Sequence, residues 1–266
     1  IYESRPNVTV DIAVLCMKSG NAVVLRGGKE AVHSNKALAL LLRRAIADTG
    51  GDPEIVQQIE NIDRANVEKM ITAKELFDLI IPRGGTGLIE YVAREATVPA
   101  ITGGIGVVHA FVDASANIEN AAGIVFNSKV QRPTVCNALD TLLVHVEAAP
   151  ALLPLVASRL TQAGVELRCD QRALSLLGPV NQSLVKAVQP ADFGQEFLSL
   201  VLSVRVVDSM EDAVEHIERY GSGHTETIVT EDDSNADRFL DRVDSAVVLV
   251  NASTRFNDGA QLGLGA

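Results

Sequence analysis

Short apolar runs alternate with helix-like runs along this chain, and the connections between them carry glycine. Residues 21–26 (NAVVLR) form a β-rich run closed by Gly27 and Gly28. Residues 35–48 repeat Ala and Leu at helical spacing until Gly50 and Gly51 stop them. Residues 55–59 read as a strand and 77–81 (FDLII) as a short apolar strand closed by Pro82. Residues 87–96 read as a helix and 98–101 as a further strand. A strand–helix–strand order needs crossover connections rather than hairpins. The fold class is therefore α/β, a parallel sheet with helices on both faces.

The texture changes around Thr102, Gly103 and Gly104, where a boundary is expected between residues 1–104 and 105–266. Beyond it, strands are expected at 107–112, 141–145, 198–207, 225–230 and 246–250. Helices are expected at 116–126, 149–163, 210–220 and 234–242. A chain of 266 residues has ample length for one or two such domains. With 47% hydrophobic and 21% charged residues it is not a disordered chain. Its 34 acidic and 23 basic residues give a net charge of −11. That balance argues against nucleic-acid or anionic-membrane binding. No apolar run approaches the roughly 18 residues that a membrane span needs. The chain opens on the polar IYESRPNVTV without an initiator Met and closes within the glycine-rich QLGLGA. It is expected to be an internal piece of a longer protein.

The three cysteines are Cys16, Cys136 and Cys169. An odd, sparse count is no disulfide framework, and no Cys/His cluster offers metal spacing, so a reducing, cytoplasmic setting is expected. Cys136 lies in QRPTVCNALDTLLVH, behind a proline-bearing loop, with Arg132 four residues upstream and Asn137 next. A cysteine in a polar loop beside a cation is held partly as thiolate, the nucleophilic form. The competing reading is a small buried residue, and on spacing alone that reading is favoured. Cys16, in the apolar IAVLCM, reads as buried, and Cys169 has no neighbour that points to chemistry.

Glycine pairs follow three strand-like runs: Gly27-Gly28, Gly84-Gly85 and Gly103-Gly104. Glycine there lets a phosphate approach backbone N–H groups at a helix start. Each alone reads as a turn; together they favour nucleotide binding at strand ends. The polar runs 2–9 and 250–256 offer Asn7 as an amide donor to an oxyanion and Arg255 as a bidentate partner for a carboxylate. The competing reading makes both runs solvated surface turns, which is the stronger reading without further information. His33, His109, His145, His216 and His224 are scattered and read as structural or surface residues.

IYESRPNVTVD, GNAVVLRGGKEA, LIIPRGGTGL, VPAITGGIGV, QRPTVCNALDTLLVH, RYGSGHTETIVTED and VNASTRF occur in this order. The set closely resembles the gamma-glutamyl phosphate reductases, a branch of the aldehyde dehydrogenase superfamily, over essentially the whole chain. The resemblance implies an aldehyde dehydrogenase-like fold. Residues 1–104 would be a Rossmann-type NADPH-binding domain lacking its N-terminal part. Residues 105–266 would be an α/β catalytic domain lacking its C-terminal tail. The implied reaction reduces L-glutamyl 5-phosphate with NADPH to L-glutamate 5-semialdehyde and phosphate, in proline biosynthesis. By position, Cys136 matches the nucleophile and Asn7 the oxyanion donor. Arg26 matches the residue at the adenosine ribose, Gly84 and Gly85 the loop near the pyrophosphate, and Glu196 the glutamate at the nicotinamide ribose.

Lys29 stands where NAD-preferring relatives carry a glutamate, and a lysine there attracts a 2′-phosphate. Arg255 is the candidate for the substrate carboxylate, with Arg132 as competitor for that role or for the leaving phosphate. Ile101 stands where oxidising aldehyde dehydrogenases hold the glutamate that activates water, so a thioester on Cys136 would survive to meet hydride or phosphate. A homo-oligomer of the full-length protein and substrate hand-over from a glutamate 5-kinase are also implied. Two alternatives remain: an NAD(P)-linked enzyme that oxidises an aldehyde to an acid, and a truncated, non-catalytic nucleotide-binding piece.

Overall fold

The computed structural model describes residues 1–3, 5–178 and 180–263. Ser4 of the IYESRPN run and the last three residues of QLGLGA lie outside them. The chain forms two compact units, Ile1–Gly104 and a second that starts at Ile105.

In the first unit, α1 (Asn7–Lys18) follows Pro6, and β1 (Val23–Leu25) leads through Gly27 and Gly28 to α2 (Val32–Asp48). Proline fits at a helix start because its missing N–H costs no intrahelical bond. Gly50, at φ +82°, turns the chain out of α2 in a left-handed conformation that side chains disfavour. β2 (Val56–Gln58), α3 (Ala65–Thr72) and α4 (Thr86–Glu95) complete the unit. β1 and β2 pair in parallel.

The rest of this sheet is narrower than the sequence suggests. Tyr2 bridges Arg83 and Ile80 bridges Ala100, both in parallel, and Tyr2 N–H donates to the Arg26 carbonyl at 2.9 Å. The expected strands at 77–81 and 98–101 are thus reduced to a single bridge. Pro82 and Pro99 have no N–H to extend the pairing. Phe77 N–H turns back to Ala73 O instead. Of the FDLII run only Ile80 is buried; Leu79 and Ile81 are exposed.

The second unit holds a seven-stranded, all-parallel sheet. Its strands are β3 (His109–Val112), β4 (Thr141–His145), β5 (Glu166–Cys169), β6 (Val185–Ala187), β7 (Val201–Val207), β8 (Thr225–Val229) and β9 (Val247–Val250). Their order is β6-β5-β7-β4-β3-β8-β9. Side chains alternate between faces along each strand, and both faces are covered. Ala110, Val112, Leu142, Val144 and Val204 pack with residues of α5 (Ile118–Val130) and α6 (Ala149–Gln162). Phe111, Leu143 and Ile228 pack with α8 (Met210–Tyr220) and α9 (Asp233–Arg242); the short α7 (Gln171–Leu174) lies between β5 and β6 in the chain. α5, α8 and α9 begin at capping residues: Asn117 accepts the Asn120 N–H, Ser209 the Asp212 N–H, and Asp232 the N–H groups of Ser234 and Asn235.

Leu152, on α6, is fully buried in the larger core. Leu152→Ala is expected to cost about 2–5 kcal/mol, because the cavity adds to the lost transfer energy. Urea denaturation checks this; a loss under about 1 kcal/mol would mean that the α6 face collapses readily.

Candidate active site

Cys136 lies in the turn between α5 and β4, at the amino ends of the central strands. The thiol residue is exposed, which corrects the buried reading that spacing alone favoured; Cys169, on β5, is the buried one and Cys16, on α1, is intermediate. The residues that follow Cys136, from Asn137 to Asp140, are buried. The turn is fastened by the segment after β9. Thr254 Oγ1 donates to Asn137 O at 2.7 Å, and Asn137 Nδ2 donates to Asn257 O at 2.8 Å. Ser128 Oγ and Ser253 Oγ lie 3.0 Å apart, and Thr254 N–H donates to Ser128 Oγ. Ser253 and Thr254 are buried, so this half of VNASTRF is a clamp and not a solvated turn. Arg255, next in the chain, is half-buried and donates through Nε to Gln131 Oε1 at 3.2 Å; Arg132 is exposed. Cys136, Arg132 and Arg255 thus share one neighbourhood.

Glu196 joins it through a glycine. Burial pushes its pKa up, and the nearby Gly106 backbone N–H opposes that rise. A Cβ on Gly106 would stand 2.2 Å from the Cys136 carbonyl oxygen. Only glycine permits that approach, so one residue touches both the thiol-bearing turn and the glutamate.

Beneath the turn lie two charged groups that sequence reasoning missed. Lys129, on α5, is fully buried; its Nζ donates to Leu139 O at 2.8 Å and lies 3.9 Å from Asp140 Oδ1. Burial pushes the Lys129 pKa down to about 8, opposed by Asp140. Burial pushes Asp140 up to about 6, opposed by Lys129 and by two backbone N–H groups. The only trace in the sequence is a charge set beside apolar residues in each of two segments, VFNSKV and NALDTLLV.

In the first unit the candidate cofactor residues leave from neighbouring segments at one level of the sheet. Arg26 ends the β1 segment. It is buried, and its Nη2 donates to Ile62 O at 2.7 Å. Lys29 is exposed and opens the single 3-10 turn Lys29–Ala31 ahead of α2. Asn7 is the first residue of α1 and not part of a loop; it is exposed, and its Nδ2 donates to Asp11 Oδ2 at 3.1 Å. Gly84 and Gly85 precede α4, where the Gly85 N–H donates to Glu3 Oε2 at 2.9 Å. Ile101 is exposed. Among the described residues, no group of three His, Cys, Asp or Glu side chains is placed to hold a metal ion, and no helix is long and apolar enough to cross a membrane.

The family model described as aldehyde dehydrogenase family matches residues 7–190. The chain belongs to the aldehyde dehydrogenase family. Among curated relatives of this aldehyde dehydrogenase family chain, a gamma-glutamyl phosphate reductase of Dehalococcoides mccartyi is 57% identical over 268 residues and one of Roseiflexus castenholzii is 53% identical. Both are matched by 100% of this chain, which spans 63% of their length. A crystal structure of gamma-glutamyl phosphate reductase from Thermotoga maritima superposes with a TM-score of 0.94 at 44% identity, over 100% of this chain and 63% of that one. The resemblance to this branch, carried in the sequence by QRPTVCN and VNASTRF, is borne out by these matches.

For this aldehyde dehydrogenase family chain, Gly106→Ala tests the contact that joins the thiol turn to Glu196. The new methyl meets backbone, which cannot swing aside. The rate of Cys136 alkylation by iodoacetamide is expected to change at least about threefold, with the protein still folded, as for other close-approach glycines. An unaltered rate would mean that the turn shifts without consequence for the thiol.

Proposed function

We propose that this chain carries the thiol and most of the cofactor-binding residues of an NADPH-dependent gamma-glutamyl phosphate reductase. The observation that supports it most is the exposed Cys136 in a turn whose following residues are buried and hydrogen-bonded to the segment after β9, with Gly106 packed between that turn and Glu196. A nucleophile needs an accessible thiolate in a fixed frame. The division of labour, residues 1–104 for the cofactor and 105–266 for the thiol, is part of the same proposal.

In this reading the Cys136 thiolate attacks the acyl carbon of L-glutamyl 5-phosphate. The bond to phosphate breaks, phosphate leaves with the electron pair, and a thioester forms. NADPH, when bound, supplies the hydride that brings the thioester to the aldehyde level. The Cys136 backbone N–H donates to the oxyanion, and the resemblance gives Asn7 the role of a second donor. Breaking the C–S bond then frees L-glutamate 5-semialdehyde and restores the thiolate. Ile101 offers no base to activate water, which favours phosphate over hydroxide as the partner of the thioester. Arg255 and Arg132 are the cations available to the substrate carboxylate and the phosphate.

The residues present fit a dinucleotide phosphate. Open α/β sheets bind nucleotides where their strands end, and the connections carrying Asn7, Lys29 and Gly84–Gly85 leave the first sheet at one level. The exposed Lys29 suits a 2′-phosphate. Glu196 suits a ribose hydroxyl as a half-buried acceptor. The helix start at Gly85 suits a diphosphate, for which Glu3 would give up its bond to the Gly85 N–H. Arg26 acts here through its bond to Ile62 O, which steadies the connection after β1.

The deciding assay runs the full-length protein in reverse, with semialdehyde, NADP and phosphate. Turnover should require phosphate or arsenate; full-rate oxidation in phosphate-free buffer would favour the oxidising alternative. Cys136→Ser should abolish turnover and leave NADPH binding intact, while Cys169→Ser retains activity. Substantial turnover in the Cys136 variant would remove the thioester route. Lys29→Glu should shrink or reverse the preference for NADPH over NADH. An equal use of both cofactors by the unaltered protein would remove the role given to Lys29.

A further inference from the structure

Asp140 bonds in more directions than packing requires. Its Oδ1 accepts the Phe197 N–H at 3.0 Å and its Oδ2 the Val108 N–H at 3.3 Å. Its own N–H donates to Val108 O, and its carbonyl accepts from Ser203 N–H. Phe197 follows Glu196 directly. One carboxylate therefore ties the residue four beyond Cys136 to the residue one beyond Glu196. Gly106 supplies a second link: it packs on the Cys136 carbonyl, and its backbone N–H is near enough to the Glu196 carboxylate to favour the charged form. The two ties close a ring through Cys136, Gly106, Glu196, Phe197 and Asp140.

The surroundings reinforce that ring. Lys129 holds Leu139 O and faces the Asp140 carboxylate. Its Nζ also lies 5.8 Å from the centre of the Phe197 ring, and the Arg168 guanidinium stands 5.1 Å from it. Leu198, next in the chain, adopts φ +48°, a conformation that a leucine holds only when its neighbours determine it. A buried ion pair is a poor source of stability, because the desolvation of both charges offsets their attraction. Its value here is directional. A carboxylate can accept one backbone N–H on each of its two oxygens; an amide has only one acceptor oxygen and an apolar side chain has none.

We propose that Asp140, held by Lys129, is a positioning residue that sets Glu196 against the Cys136 turn. The proposal rests on the reading of Glu196 as the ribose ligand. It gives the spacing between the cofactor ribose and the nucleophile a physical cause that is remote from both.

The test uses the full-length protein with Asp140→Asn, Lys129→Met, Glu196→Gln and the double variant Asp140→Asn/Glu196→Gln. An asparagine turns an NH₂ group toward one of the two N–H donors, so one tie is lost. Asp140→Asn is expected to raise the NADPH dissociation constant about three- to tenfold and lower kcat about tenfold, as for a lost charge-assisted bond, with the KM for the acyl phosphate within about twofold. The double variant should bind NADPH no more weakly than the weaker single one, because both changes break the same link. Lys129→Met should act in the same direction and carries the test if Asp140→Asn does not fold. An unchanged NADPH dissociation constant in the folded variant, or effects that multiply in the double variant, would overturn the proposal. If the unaltered protein does not bind NADPH, the cofactor reading fails by itself. Cys136 alkylation then decides: the proposal requires a change of at least about threefold in Asp140→Asn or Lys129→Met, and an unchanged rate overturns it.

Discussion

A parallel strand cannot be reached by a hairpin, and the second unit obeys that constraint in all six connections between its seven described strands. Every strand from β4 to β9 must be entered from the far end of the sheet, so each connection crosses a face and buries it. This explains why the strands are mostly apolar on both sides, with Arg205 in β7 and Glu226 in β8 among the exceptions, and why the loops at the strand ends are free to carry chemistry. The Cys136 turn is one such end. It inherits its rigidity from β4 below it and its exposure from being the place where a crossover finishes.

The same confinement accounts for what could be read in advance. Thr141–His145 and Met210–Tyr220 agree with expectation residue for residue: the first is an apolar strand, the second has a serine cap and an amphipathic face. The first unit was harder. Asn7 opens a twelve-residue helix, hidden because Pro6 and its polar neighbours read as a loop. The FDLII run has the composition of a strand, yet the prolines that bound its pairing deny it a ladder. β6, three residues long, has too little pattern to find.

The candidate site was legible as motif and not as environment. QRPTVCN pointed to Cys136, but nothing in its spacing distinguishes an exposed thiol from a buried one. VNASTRF pointed to Arg255, while Ser253 and Thr254, which fasten the turn, looked like solvated hydroxyls. Lys129 and Asp140 were invisible for a physical reason. Burial of a charge depends on what tertiary packing sets opposite it, and Phe197, Val108 and Leu139 come from three separate stretches of chain.

The fastening of the Cys136 turn also bears on the order in which the molecule matures. Asn137 and Thr254, whose hydrogen bond holds the turn, are separated by 117 residues. Contacts of such long sequence separation form late, because a large loop must close before they can. During synthesis the central strands β3 and β4 leave the ribosome well before residue 254. The thiol is therefore present in a nascent chain before its frame exists, and the reactive geometry arrives only with β9 and the clamp that follows it.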